Sequence, residues 1–357
     1  MSQSMRVGFL GAGGIAQAHA YALDAMKFYY ADAPQIEKVV VASPTSLSRE
    51  SFAQRFGFSE AIPPDKIWQR DDLDALYLLG PNDTHTPQLL AAVQMPHLKR
   101  IFVEKPLGVS YQDLDALDGI TQDDHGKFIV MGFQYLQKSA IRAALAHWKS
   151  GVFGDPVHFR AEYLHSSYLD SAYRLKHKDR LQPAPINGAA SDLGSHSLSL
   201  LVAFLGENLA IRTAAASGGF EDVPQASDLC TTTLIEDLGS GAIGTLVSSR
   251  ISAGTGDHFT LEIYGTEGSL RFNTSHPDSY LSYLSLEGWR RHDVNSDYQP
   301  HSKFPSDYMP SGWLRALVHH HYLFLGGDTT GSFIPDLSHG IVVQRLLMQI
   351  ASHLHSN

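Results

Sequence analysis

The sequence predicts an α/β protein of two domains, a parallel sheet wound with helices followed by a strand-rich α/β domain. Three observations predict it. Short apolar runs alternate with helical patterns up to about residue 130, β-rich runs dominate the rest of the chain, and 357 residues exceed what one hydrophobic core usually organises. The division is set at 1–130 and 131–357.

Residues 5–10 form a short apolar run with the composition of a buried strand. They lead into Gly11-Ala12-Gly13-Gly14-Ile15-Ala16 and a helical pattern over 17–26. In a strand–turn–helix unit, Gly11 makes the tight turn, Gly13 leaves room for a pyrophosphate, and Ala16 lets helix and strand pack closely. The free N–H groups and positive dipole end of the helix then face the phosphates. A second strand over 38–42 ends in Ser43-Pro44-Thr45, with Arg49 at the start of the next helical segment. The acid that often binds an adenosine ribose is missing there. A hydroxyl and a guanidinium suit a 2′-phosphate, so the expectation leans to NADP over NAD, the plainer reading of Arg49 being a solvated helix residue.

Alternation continues with strands over 75–79, 100–103 and 128–131 and helices over 86–93 and 110–120. Strands separated by helices imply a parallel sheet with right-handed crossovers, whose ligands lie beyond the carboxyl ends of the strands. Pro81, Asn82, His85, Glu104 and Lys105 fall at those ends. The second half carries β-rich runs over 157–164, 231–235, 243–249, 260–264 and 280–286, separated by Gly/Asp turns.

A formal charge of −10 opposes binding to a phosphate backbone, so nucleic acid is not an expected partner. One cysteine, Cys230, needs no oxidising compartment. With no export leader read at the start and no long apolar window, the expected location is the cytoplasm, without a membrane. His319-His320-His321 invites a metal reading, but consecutive helical residues diverge by about 100°, so no metal site is expected.

Taken in order, these motifs resemble the glucose-fructose oxidoreductase and inositol 2-dehydrogenase (Gfo/Idh/MocA) family. The resemblance rests on the glycine turn, Pro81-Asn82-Asp83-Thr84-His85, Glu104-Lys105-Pro106, Asp192-Leu193-Gly194-Ser195-His196, Gly265-Thr266-Glu267-Gly268-Ser269-Leu270, and a closing helix over 337–353 after Pro335. It implies an N-terminal Rossmann dinucleotide-binding domain plus a C-terminal α/β domain with a large, mostly antiparallel sheet. It further implies hydride transfer between nicotinamide and a secondary alcohol or ketone of a sugar, cyclitol or sugar derivative, in a homodimer or homotetramer.

Oxidising an alcohol requires a base for the hydroxyl proton, an electrophile for the developing oxyanion and a nicotinamide held close. The resemblance gives Lys105, Asp192 and His196 these catalytic roles. Lys105 polarises the substrate oxygen, His196 is the base, and Asp192, four residues earlier on an expected helical face, binds substrate or orients the imidazole. Plainer readings are a strand-ending surface lysine, a helix N-cap aspartate and a packed histidine. Gln134 joins the coenzyme contacts, and Tyr135, Tyr163 and Arg174, with Lys176, are expected in the substrate pocket.

Departures from the family pattern are Ser199 in place of an Asp, Gln134-Tyr135-Leu136 in place of an Asn-Tyr-Arg-like stretch, Asn187-Gly188-Ala189-Ala190 before Asp192, and a first crossover lengthened over 28–36. They bear on the substrate more than on the reaction. Two other functions compete: a non-catalytic dinucleotide-binding regulator, disfavoured by Lys105, Asp192 and His196, and a reductase of a non-sugar ring such as a dihydrodiol.

Overall fold

The computed structural model describes residues 4–117, 120, 126–181, 188–223, 228–294, 298, 312–327 and 329–355. Asn187 lies outside them. The chain forms two compact units, 1–108 with 112–138 and 298–340, and 109–111 with 139–297 and 341–357. The expected single cut at 130/131 becomes a main crossing at 138/139, besides a short excursion at 109–111; the chain then returns to the first unit at 298–340, where it packs a further helix, and ends in the second.

In the first unit, strands β1 (Met5–Leu10), β2 (Ile36–Ala42), β3 (Glu60–Ile62), β4 (Ala75–Leu78), β5 (Arg100–Val103) and β6 (Phe128–Met131) run in the order β3-β2-β1-β4-β5-β6. Every pair is parallel, giving the Rossmann arrangement. In β1, β2, β4, β5 and β6 the residues towards the carboxyl end are buried and almost all apolar, as in a parallel sheet covered on both faces. Val7, Phe9, Val41, Tyr77, Phe102 and Val130 join one core with Ala16, Ala20 and Leu23 of the Gly14–Tyr29 helix and Leu317, Tyr322 and Phe324 of the Trp313–Phe324 helix.

The second unit holds β7 (Pro156–Leu164), β8 (Leu209–Ser217), β9 (Cys230–Asp237), β10 (Ile243–Ser249), β11 (His258–Gly265), β12 (Gly268–Asn273), β13 (Ser279–Leu284) and β14 (Gly288–Asp293). Their order is β14-β13-β12-β11-β7-β10-β9-β8, antiparallel except for the parallel β7–β10 pair. Side chains alternate between faces. Phe159, Ala161, Ile235, Leu246, Leu261 and Leu270 are buried, and the Ser139–Lys149 and Ser195–Leu205 helices pack on that sheet. Ile243, Leu281 and Trp289 are exposed.

Candidate active site

The first unit brings its expected residues to one edge, the carboxyl ends of β1, β2, β4, β5 and β6. After β1 the chain turns at Gly11 with φ 127°, a backbone region open to glycine, and a Cβ there would lie 2.5 Å from the Leu79 carbonyl oxygen. At Gly13 and Gly14 an added Cβ would meet nothing within 4 Å. Gly13 caps the Gly14–Tyr29 helix with no side-chain hydrogen bond, and no acid stands in the first turn. The helix start is thus an open cradle of amide donors of the kind a pyrophosphate fits. Ile15 is half-buried beside it, whereas Ala16 is fully buried and packs the helix onto the sheet rather than touching a ligand.

Beyond β2, Ser43 is buried and Thr45 exposed. Arg49 donates from Nη1 to the carbonyls of Ser43 (3.2 Å) and Pro44 (3.1 Å), stapling the turn. Beyond β4, Pro81 and Asn82 lie at a single 3-10 turn, Asn82–Thr84. His85, expected at the coenzyme, is buried, with Nδ1 2.7 Å from the Pro106 carbonyl and Nε2 3.0 Å from the Gly80 carbonyl. It ties two strand-end loops together and so positions them. Burial lowers its pKa, and the two carbonyl contacts only partly oppose this.

Beyond β5, Lys105 is half-buried, with a cis bond to Pro106. Its neighbour Glu104 turns inward, Oε1 2.9 Å from His19 Nε2, so it is a buried partner of a histidine and not a coenzyme contact. Burial pushes Glu104 upward, but the His19 hydrogen bond and nearby positive charge outweigh it and the net shift is downward. Beyond β6, Gln134 is also committed internally. Its amide donates to the Gly132 carbonyl (2.7 Å) and accepts from Trp313 Nε1 (2.5 Å). Tyr135 is buried beneath Lys138, whose Nζ lies 5.3 Å from the ring centroid, which removes it from an open pocket.

In the second unit, Asp192 and His196 do not share a regular α-helix. Asp192 lies in a π-helical turn, Ala190–Gly194, and His196 in the first turn of the Ser195–Leu205 helix. Such widened turns often occur at functional sites. Asp228 anchors the turn, its carbonyl accepting from Ala189 N (2.9 Å) and its Oδ2 from Ala190 N (3.2 Å). Asp192 accepts at Oδ2 from Arg250 Nη2 at 2.9 Å, its side chain 26% exposed against 2% for the arginine. Burial alone pulls Arg250 down, but Asp192, Tyr168 and Asp228 raise it overall, so the pair is ionic. His196 is buried, and its ring centroid is 6.0 Å from that of half-buried Tyr163.

Arg174 is a correction. Its Nε and Nη2 donate to the two oxygens of Asp222, each at 2.9 Å, and Nη1 donates to the carbonyls of Tyr168 and Leu169. With the guanidinium also stacked over Phe220 at 4.2 Å, Arg174 holds the fold instead of a substrate; Lys176 is exposed. Arg250, Asp228 and His19 are the residues that sequence reasoning missed, and His321 was weighed only as part of a histidine run for metal. Of the three, only His19 carried a signal, a lone imidazole on the apolar stripe of its helix. Among the described residues, no group of three His, Cys, Asp or Glu side chains is placed to hold a metal ion, and no helix is long and apolar enough to cross a membrane. His319 and His321 instead bond to different partners, Tyr30 for the first and His19 and Tyr77 for the second.

Two family models match. Residues 5–133 fit the oxidoreductase family with an NAD-binding Rossmann fold, and residues 141–271 fit the GFO/IDH/MocA C-terminal domain. Levoglucosan dehydrogenase of Pseudarthrobacter phenanthrenivorans is 27% identical over 81% of this chain and 79% of its own. The scyllo-inositol 2-dehydrogenase (NAD(+)) of Bacillus subtilis is 24% identical over 84% and 82%. Among solved structures, a levoglucosan dehydrogenase complex with NADH is similar at TM-score 0.86 and 24% identity, over 99% of this chain and 98% of that one. An inositol dehydrogenase homolog from Azotobacter vinelandii, complexed with NAD+, is similar at TM-score 0.81 and 18% identity over 99% and 96%. With both of its domains matched in order, the chain belongs to the Gfo/Idh/MocA family of NAD-binding oxidoreductases.

Proposed function

We propose that this oxidoreductase transfers hydride between a nicotinamide coenzyme and a ring carbinol of a sugar, anhydrosugar or cyclitol. The carrying observation is Lys105, half-buried at the carboxyl end of β5 on the same sheet edge as the uncapped glycine turn. Gly13 and Gly14, with the first-turn amides, would hold the pyrophosphate, and Ser43 and Thr45 the adenosine ribose. When bound, the nicotinamide accepts or returns a hydride at C4. The Lys105 ammonium donates to the substrate oxygen and stabilises charge developing there, and His196 removes the hydroxyl proton. Asp192, held by Arg250, binds a substrate hydroxyl or orients the imidazole.

Coenzyme choice turns on the end of β2. Arg49 already donates from Nη1 to two carbonyls, which draws it away from a 2′-phosphate, and relatives are complexed with NADH and NAD+. NAD is therefore the proposed coenzyme, in place of the NADP that the sequence favoured. The open sheet face, where Ile243, Leu281 and Trp289 are exposed, supports a homodimer or homotetramer. A chain whose single cysteine is free fits the cytoplasm. The test is reduced-nicotinamide absorbance with a panel of anhydrosugars, inositols and hexoses, using NAD and NADP in parallel. Turnover with NAD that is lost in Lys105→Met and His196→Asn supports the reading; coenzyme binding without turnover on any polyol overturns it.

A further inference from the structure

Behind Lys105 lies a buried chain of hydrogen bonds built from residues far apart in sequence, and it absorbs part of the His319-His320-His321 run. Tyr77 Oη is 3.0 Å from His321 Nδ1, and His321 Nε2 is 2.9 Å from His19 Nδ1. His19 Nε2 is 2.9 Å from Glu104 Oε1, and Glu104 Oε2 accepts the backbone N–H of Lys105 at 3.2 Å. Tyr77, His19 and His321 are fully buried and Glu104 nearly so. A Cβ on Gly132 would lie 2.7 Å from Glu104 Oε1, so the carboxylate is packed against the neighbouring backbone and has little room to shift.

Proton positions along this chain are set by the acceptor at its end. A carboxylate only accepts, so His19 carries its hydrogen on Nε2 and, when neutral, presents a lone pair at Nδ1. His321 must then donate from Nε2, which leaves its Nδ1 to accept from the Tyr77 hydroxyl. One arrangement thus satisfies every contact, with a single charge, on Glu104. Two shifts agree with it. Burial, the largest cause in each case, holds His321 far below the ordinary imidazole range and Tyr77 above the ordinary phenol range.

We propose that His321 is a positioning residue for Lys105, acting through His19 and Glu104 to fix the backbone from which the lysine side chain projects. This role rests on the part Lys105 is proposed to play in hydride transfer. Without His321, the Nδ1 lone pair of His19 is left buried and unpaired, or His19 turns away and frees Glu104. Either change loosens the acceptor that holds the Lys105 amide. Misplacing a catalytic group by about 1 Å costs roughly 100-fold in rate, so a loosened lysine lowers kcat while coenzyme binding persists.

Two variants separate this from simple packing. His321→Leu fills similar space without a donor, and His321→Gln restores an N–H towards His19. The expected result is a fall in kcat of roughly 10- to 100-fold for H321L, with coenzyme KM within about 3-fold, and recovery of most of the loss in H321Q. A packing role predicts the reverse order, and H321L with wild-type kcat overturns the proposal. Two measurements need no turnover. Nitrogen-15 spectra of the wild-type protein should show neutral His19 protonated at Nε2, and amide exchange at Lys105 should accelerate in H321L but not in H321Q. A His19 protonated at Nδ1, or unchanged exchange at Lys105, overturns the proposal as well. If the wild type oxidises no polyol, the functional reading fails while these two measurements still decide the positioning role.

Discussion

His320 lies fully buried on the Trp313–Phe324 helix, its ring edge-on to Phe102 with centroids 5.1 Å apart. Burial, with a smaller contribution from His19, lowers its pKa from 6.5 to about 3. Between those values the unfolded chain binds a proton that the folded chain refuses. The stabilisation is therefore complete above the unfolded value and declines as pH falls towards the folded one. At one proton, the loss is about 1.4 kcal/mol between about pH 7.5 and about pH 5.5, and about 2.7 kcal/mol by about pH 4.5. His320→Leu keeps a helix-compatible side chain of similar bulk and removes this titration. Urea unfolding followed by circular dichroism should show the variant gaining about 1.4 kcal/mol on the wild type over the first interval. All other groups are shared by the two proteins, and their contributions largely cancel. A stability difference that stays constant across pH would refute the reasoning, because it would mean that the folded imidazole takes up its proton as the unfolded one does.

The same geometry predicts other outcomes. Gly13→Val adds atoms where a Cβ meets nothing within 4 Å, so stability should change by less than about 0.5 kcal/mol while the coenzyme KM rises at least about 10-fold. Gly11→Ala, at φ 127° and against the Leu79 carbonyl, should cost more than about 2 kcal/mol; equal losses in the two variants would contradict the assignment of Gly13 to the pyrophosphate. Asp192→Leu leaves the Arg250 guanidinium buried without its carboxylate and should cost about 3–5 kcal/mol in denaturant unfolding, against under about 1 kcal/mol for Lys105→Met, although both should abolish turnover. Arg174→Met should lower the melting temperature with polyol KM within about 3-fold of wild type. A selective rise in that KM would return Arg174 to the substrate.

The coenzyme-binding half was legible because its physics is local. An apolar run ending in glycines and followed by a helical stripe has few other solutions, and the strands at Arg100–Val103 and Phe128–Met131 were read to the residue. β3, three residues long, and β14, written Gly-Trp-Arg-Arg-His-Asp, escaped notice because each is short and lacks an apolar alternation. β8 is rich in alanine, a residue that marks a strand only weakly.

At the site, the sequence identified which residues gather at the strand ends but not which way each faces. Glu104 and Lys105 are adjacent, yet one is buried on His19 and the other half-exposed, a distinction set by a helix more than 200 residues further on. Arg174 was misread for the same reason. Its partner Asp222 is 48 residues away and nothing nearby signals it. Arg250, 58 residues from Asp192, reads in isolation as an ordinary charge ending a strand.

The most direct measurement is isotope transfer. The enzyme would be incubated with NAD and a cyclitol or anhydrosugar deuterated at its carbinol carbon, and the coenzyme recovered for mass spectrometry and proton NMR. The account predicts deuterium at C4 of the reduced nicotinamide, on one face only, and none after Lys105→Met. Reduced coenzyme carrying no label, or label transfer undiminished by loss of the lysine, would contradict it.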